Sequence, residues 1–421
     1  MSSLAKRSRP ACQRPIESRR LSSLYAILLL QTFTSLSVAH AQSAASPPAA
    51  SSFAAAGTLF EYFFGPSNAW DADYERVQQW KKDNNVPISI GAHHWWHFDR
   101  DEPLYGDGYG IPGLRGTYFY FVTLDPSLKL EGSGPVDEIG FHNQTRIRDS
   151  GDKLRSYYND TIWTYETYAY AKTSMGLFKA GQIAQQFGIP WDNSWWEAVP
   201  FFDGNRANPA WGLSWENAWN ASSTFAVAST LQYFISEDRV GGAFASANAE
   251  SSPPLGERNT FSFRLVPQWS PDENTTIRLG VSAFTREIDA AGVPNVDKRQ
   301  TAYALDLTYA WRDLSIYGQY TDSHGASTPA RYVSGGPSDR QNSFEIGASY
   351  KFGPISARVN YSEGWDHNPS GHQYIFNPGL TVQISKALTA YAEYVKWNVT
   401  NSAGTTTRFD DGYELVLVWN Y

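Results

Sequence analysis

The chain predicts an all-β fold, a transmembrane antiparallel β-barrel of sixteen strands with an inward-folded constriction loop. Three observations lead there. Segments that alternate apolar and polar residues recur from residue 88 to the end of the chain. The connections between them are by turns short and long, as in transmembrane barrels. The last segment, 412–421, sends Tyr413, Leu415, Leu417, Trp419 and Tyr421 to one face and Glu414, Val416, Val418 and Asn420 to the other, because side chains alternate along a strand. One face is thus wholly apolar and aromatic, and it runs to the final residue.

Lys6, Arg7, Arg9, Arg14, Arg19 and Arg20 form a basic leader, residues 21–38 an apolar run, and Ala39-His40-Ala41 a small-residue cleavage pattern. Residues 1–41 therefore read as a signal peptide that is removed. Residues 42–86 read as an N-terminal linker with a short helical segment, and 87–421 as the barrel. The single cysteine, Cys12, lies in the leader, so neither disulfides nor thiol chemistry is expected in the mature chain. The whole chain has 34 Lys and Arg against 42 Asp and Glu, of which the leader holds six and one, leaving 28 against 41, or −13. That balance argues against a nucleic-acid partner. Mean hydropathy is negative although 15% of the residues are aromatic, the composition of a barrel with a polar interior and aromatic girdles.

Residues 43–56 are Ser, Ala and Pro apart from Phe53, a flexible linker. Phe60-Glu61-Tyr62-Phe63-Phe64 is an apolar patch, and 71–82 predicts a short helix with Asp71 at its start and Lys81 and Lys82 near its end, the polarity a helix dipole favours. Strands are predicted at 88–96, 117–124, 138–148, 161–171, 177–183, 210–218, 225–235, 261–269, 275–285, 301–311, 314–321, 343–352, 355–362, 374–385, 388–397 and 412–421. Tyr303, Leu305, Leu307, Tyr309 and Trp311 oppose Ala304, Asp306, Thr308 and Ala310; Phe344, Ile346, Ala348, Tyr350 and Phe352 oppose Glu345, Gly347, Ser349 and Lys351. Short turns are expected at 172–176, 220–224, 270–274, 312–313, 353–354 and 386–387, and long loops at 97–115, 184–209, 236–260, 286–300, 322–342, 363–373 and 398–411. The stretch 125–135 is too long for the short class, and Tyr118-Phe119-Tyr120-Phe121 shows no clear parity. Aromatic residues such as Trp211, Trp215, Tyr309, Trp311, Trp419 and Tyr421 sit near strand ends, where lipid headgroups lie.

With the apolar parity in lipid, Arg146, Arg148, Lys179, Arg264, Arg278 and Arg358 fall on the inward parity, as do Glu166, Glu216, Asp306, Glu345, Glu393 and Glu414. Charges on the lipid face would cost about 2–4 kcal/mol near the midplane. The third external loop, 184–209, carries Trp191, Asp192, Trp195, Trp196, Glu197, Phe201, Phe202 and Asp203. Folding it into the lumen would bury aromatics that are a liability on a solvent loop. Asp192, Glu197 and Asp203 would then face the wall cations across an eyelet, and the loop aromatics would either pin the loop or stack against sugar rings.

The closing strand with its terminal aromatic, together with Pro200-Phe201-Phe202-Asp203-Gly204-Asn205 in the third loop, resembles the Gram-negative outer-membrane porins. The loop keeps the Pro, the second Phe and one Gly of the porins' Pro-Glu-Phe-Gly-Gly-Asp motif; it lacks the Glu and shifts the Asp. The resemblance implies a homotrimer in the outer membrane of a Gram-negative bacterium, with the terminal strand serving membrane insertion through the barrel assembly machinery. It implies passive diffusion of small hydrophilic solutes. A channel selective for sugars, oligosaccharides or anions is the nearest alternative. The acidic chain and the inward arginines point to opposite ion preferences.

Other chemistry is less well marked. His93 and His97 share a strand face but lie roughly 13 Å apart by strand rise, too far to share one zinc, so no metal site is expected. Asp99, Asp101, Glu102 and Asp107 in the first long loop could attract divalent cations; solvated charge, or bridging of surface lipid, is the plainer reading. A barrel hydrolase would need a nucleophile–base constellation that no motif sets out, and an adhesin would need longer loops. The chain is expected to be no enzyme and to need no cofactor.

Overall fold

A computed structural model describes residues 67–99, 114–130, 134–150, 162–189, 209–237, 256–289, 299–325, 340–367, 370–400 and 403–420. The chain divides into two units, Met1–Ser67 and Asn68–Tyr421, and the second holds the fold. A helix, α1 (Ser67–Asp83), precedes the strands. They are β1 (Ile88–Asp99), β2 (Leu114–Leu124, continued by Ser127–Lys129), β3 (Val136–Ser150), β4 (Ile162–Thr173), β5 (Gly176–Ile183), β6 (Ala210–Asn220), β7 (Phe225–Glu237) and β8 (Gly256–Asp272). After these come β9 (Thr275–Asp289), β10 (Arg299–Trp311), β11 (Leu314–Gly325), β12 (Arg340–Phe352), β13 (Ile355–His367), β14 (Ser370–Gln383), β15 (Leu388–Thr400) and β16 (Thr406–Asn420). Each strand pairs antiparallel with its neighbours in sequence, and β16 returns to β1, from Gly91 opposite Asn420 to Asp99 opposite Gly412. The sheet is a closed barrel of sixteen strands, as the alternation predicts, and closure leaves no edge strand for lipid to meet.

The overlong turn disappears because β2 does not stop at Leu124. Leu124 faces Asn143 and Ser127 faces Gly140, so the register continues unchanged through Asp125-Pro126. Pro126 removes one donor from the ladder, yet its carbonyl still accepts from Phe141 N at 3.0 Å. The connection reduces to residues 130–135. The second strand lacks a clear parity because both of its faces are apolar. Tyr120 points outward and is 46% exposed, while the Phe121 ring lies inward over Gly91, in the space a Cβ there would fill.

Two of the expected long loops are corrected. Residues 363–373 are almost entirely strand, with only 368–369 between β13 and β14, and 398–411 shrinks to 401–405 between β15 and β16. Their polar side chains suggested loop; instead the strands carry them past the apolar band on the outer face. The short turns hold, with Arg312-Asp313 and Gly353-Pro354 as expected and Gly353 taking a φ of 62° that favours glycine.

Outward residues form a continuous apolar belt that includes Ile90, Leu213, Phe263, Leu279, Leu305, Ile346 and Tyr350, each more than a third exposed. Among the described residues no helix is long and apolar enough to cross a membrane; the strands cross it. Leu305, at the centre of β10 and 54% exposed, gives a test of the belt. Leu305→Arg is expected to destabilise the folded barrel by about 2–4 kcal/mol, and Trp311→Arg at the strand end by roughly 0–1, read as unfolding midpoints in detergent. Equal losses at the two positions would refute this placement of the bilayer.

α1 confirms the predicted helix. Asp71 Oδ1 accepts from Lys386 N at 2.5 Å, and Glu75 pairs with the Lys386 ammonium, holding the helix to the turn between β14 and β15. The Glu75 carboxylate raises the Lys386 pKa, so this contact keeps its charge at neutral pH.

Candidate functional site

Inward positions are where chemistry can occur, and most of them are polar. Ser214, Gln232, Ser262, Ser282, Asp306, Gln319, Glu345, Arg358, Asn360, Asn377 and Glu393 are all buried. Their charges are largely arranged in pairs along the wall. Lys179 Nζ donates to Glu216 Oε1 at 2.7 Å and lies 5.1 Å from the Tyr168 ring centroid. Arg264 grips Asp306 with both Nη atoms, at 2.7 and 3.1 Å, and donates to Ser282 Oγ at 2.8 Å. The fork-to-carboxylate fit is the strong form of such a bond. Arg358 pairs with Glu393, whose other oxygen accepts from Asn377 Nδ2 at 3.0 Å, while Arg358 Nη1 donates to Thr381 Oγ1 at 3.1 Å. Glu345 accepts from Tyr317 OH and Gln319 Nε2, both at 2.8 Å.

The predicted wall cations whose side chains are described thus fall inside, with different surroundings. Lys179, Arg264 and Arg358 are ion-paired to wall acids. Arg146 stacks its guanidinium 3.3 Å from the Tyr165 centroid and donates to Gln144. Arg278, exposed, donates to Gln268 Oε1 at 2.8 Å. Arg148 lies on β3 opposite Phe119, and its side chain lies outside the described residues. So do Trp191, Asp192, Trp195, Trp196, Glu197, Phe201, Phe202 and Asp203, which form the far part of the third loop.

The near part of that loop is described, and it turns inward. β5 is short, eight residues, ending at Ile183, so the chain leaves the wall below the upper end of β4. Ala184 N donates to Glu166 Oε1 at 3.1 Å, and Ala184 O accepts from Gln232 Nε2 at 3.0 Å. Gln186 N donates to Gln232 Oε1 at 2.7 Å, and its carbonyl accepts from Ser262 Oγ at 3.2 Å. Gly188 N then reaches Ser282 Oγ at 3.1 Å and Ile189 N reaches Gln319 Oε1 at 2.9 Å. The segment therefore runs across the inner faces of β7, β8, β9 and β11, its backbone satisfied by wall side chains, as a chain away from water requires. Phe187, fully buried, meets Phe284 edge-on at 4.9 Å in a cluster with Ala302 and Ala304. The small residues on β10 make room for the ring. Sequence reasoning placed the inward loop but missed this anchor; the signal was the run Gln185-Gln186-Phe187 opposite inward Ser and Gln positions.

A second unpredicted feature is an apolar arc on the same inner surface. Ile375, Val395, Trp397, Val399, Val416 and Val418 form one buried cluster on β14, β15 and β16. Only the polar parity of the last strand hinted at it, through Val416 and Val418. The expected histidine arrangement holds where it is described: His93 turns inward against Phe121 at 5.1 Å, and His94 meets Trp96 and Trp419 on the outer face. Among the described residues no group of three or more side chains is placed to hold a metal ion.

A family model described as Gram-negative porin matches residues 117–402, from within β2 to just past β15. Among solved structures, Salmonella typhi OmpF in complex with daunomycin is similar with a TM-score of 0.57 at 13% identity, covering 80% of this chain and 99% of that one. The outer membrane channel DcaP of Acinetobacter baumannii is similar with a TM-score of 0.50 at 10% identity, covering 80% and 97%. At these identities the likeness is one of fold. No curated protein sequence matches the chain.

Proposed function

The chain belongs to the Gram-negative porin family, and on that premise we propose that its barrel is a passive channel for small hydrophilic solutes across the outer membrane. The observation that carries this reading is the inward segment 184–189, fixed by hydrogen bonds to Gln232, Ser262, Ser282 and Gln319. A loop so anchored narrows a lumen without closing the barrel. Sixteen strands give a diameter compatible with an aqueous path. The paired wall charges make a polar lining whose net field is small, and selection by charge then rests on the far part of the third loop. Within the same proposal, residues 1–41 are removed on secretion, the terminal strand directs insertion by the barrel assembly machinery, and three copies associate. The chain is read as a conduit with no catalytic role.

Planar-bilayer recording of the refolded protein in asymmetric salt tests the proposal. Stepwise conductance with a defined reversal potential is expected. Saturable block by one sugar or by phosphate would identify a selective channel. Inserted, folded protein that carries no current would refute the channel reading.

A further inference from the structure

Identical triplets, Glu138-Ile139-Gly140 on β3 and Glu345-Ile346-Gly347 on β12, stand where each strand faces a tyrosine. Gly140 lies opposite Tyr170 of β4, and Gly347 opposite Tyr317 of β11. We propose that Tyr170 and Tyr317 set the free width of the channel towards its short-turn end: each triplet folds its tyrosine down onto the wall, and a tyrosine deprived of its glycine narrows the bore. The inference rests on the channel reading above and names side chains that determine the size of the solutes admitted.

The triplet works residue by residue. Alternation sends Ile139 and Ile346 outward, where they are 43% and 53% exposed, and so sends the glutamate and the glycine inward. Side chains directly opposite on one face of a sheet stand about 4.5–5.5 Å apart at Cβ, so an inward tyrosine meets whatever the glycine position carries. At both sites that position is empty of side chain, and the ring's Cε1, Cζ and OH occupy the place that a Cβ would take. Glycine inside a strand often marks such a close approach. The glutamate then holds the ring down. Tyr170 OH donates to Glu138 Oε1 at 3.0 Å, and Tyr317 OH donates to Glu345 Oε1 at 2.8 Å, with Asn360 Oδ1 2.9 Å away. The second oxygen of Glu345 accepts from Gln319 Nε2 at 2.8 Å. Gln319 also accepts from Ile189 N, so one residue braces this tether and anchors the inward loop.

Placement gives the pair its effect. The β3–β4 and β11–β12 pairs are eight strands apart in a closed sheet of sixteen, so the two rings stand on opposite sides of the lumen. Tyr170 lies three residues from Thr173 and Tyr317 three from Leu314, the short-turn ends of their strands. The positions correspond. Strand side chains ordinarily stand roughly perpendicular to the sheet, and a tyrosine ring doing so here would project into the bore. Two of them would do so from opposite sides.

Gly140→Ala/Gly347→Ala tests this on the refolded protein with two readouts. Single-channel conductance in planar bilayers is expected to fall, and the largest polyethylene glycol admitted to become smaller. Acetylation of the folded protein by N-acetylimidazole, resolved by peptide mass spectrometry, is expected to accelerate at Tyr170 and Tyr317, whose hydroxyls leave their glutamates. Adding Tyr170→Ala/Tyr317→Ala to the glycine variant is expected to return the conductance at least to that of the wild type, since no ring is left to displace. Should the double glycine variant not fold, Gly347→Ala alone reads its site through Tyr317, with Tyr170 as the internal control. Unchanged acetylation in a folded variant would overturn the proposal. So would a loss of conductance that survives removal of the tyrosines, which would make strand distortion its cause. Failure of the channel reading shows differently: the wild type then carries no current, and acetylation still decides whether the rings leave the wall.

Discussion

Glu393→Ala is expected to destabilise the barrel by about 3–5 kcal/mol, the cost of removing one partner from a buried ion pair. Arg358 and Glu393 have side chains only 3% and 0% exposed. Without the carboxylate, the guanidinium keeps Thr381 Oγ1 and loses its counter-charge, and Asn377 Nδ2 loses its acceptor. Arg358 cannot swing aside easily, since it lies over Gly379, where a Cβ would meet its Nη2 at 2.9 Å. The desolvated charge therefore stays where it is, and the penalty follows. Replacing both partners with apolar residues is expected to behave differently. Arg358→Met/Glu393→Leu leaves no buried charge and should recover most of the loss, because a buried pair is weak evidence of net stability. Unfolding midpoints of the wild type and the two variants in detergent, with the temperature at which each folded band shifts on a gel, provide the measurement. A double variant no more stable than Glu393→Ala would show that the pair contributes more than it costs.

The difference between what the sequence predicts and what the fold adds can be traced to particular residues. Leu305 and Asp306 announce their faces because a lipid-facing and a lumen-facing residue differ in polarity, and that contrast repeats along most strands. It fails at Phe119 to Phe121, where both sides of the wall are apolar, and at Glu363, His367 and His372, where the outer face has risen out of hydrocarbon and turned polar. Alternation reports the solvent on each side, so it goes silent wherever both sides match. Pro126 misleads in another way: it looks like a turn but costs only one ladder bond. The inward charges were legible one by one. Their pairing was not, since Arg264 and Asp306 are 42 residues apart and meet only through the register of β8, β9 and β10.

Phe187→Ala is expected to release the inward loop while leaving the barrel standing. Truncating a buried phenylalanine costs about 3–5 kcal/mol, and here that cost falls on a local anchor. What remains are hydrogen bonds from Ala184, Gln186, Gly188 and Ile189 to the wall, each worth roughly 0.5–1.5 kcal/mol net. Once the ring no longer excludes water from its contact with Phe284, those bonds compete with solvent and weaken further. The segment should then detach without disturbing the strand ladder, because no β-strand pairing runs through it. Proteolysis within residues 184–209 is expected to accelerate, open-channel current to become noisier, and the unfolding midpoint of the barrel to move little. Ser282→Ala provides the contrast. It removes one acceptor, leaving Gly188 N–H unpaired at a cost of about 1–3 kcal/mol, and takes one bond from Arg264 while Asp306 still holds that side chain. It should loosen the loop less than Phe187→Ala does. Equal protection and equal noise in wild type and Phe187→Ala would mean that the wall hydrogen bonds alone hold the loop, and the pore's width would then depend on Gln232 and Gln319 instead of the buried ring.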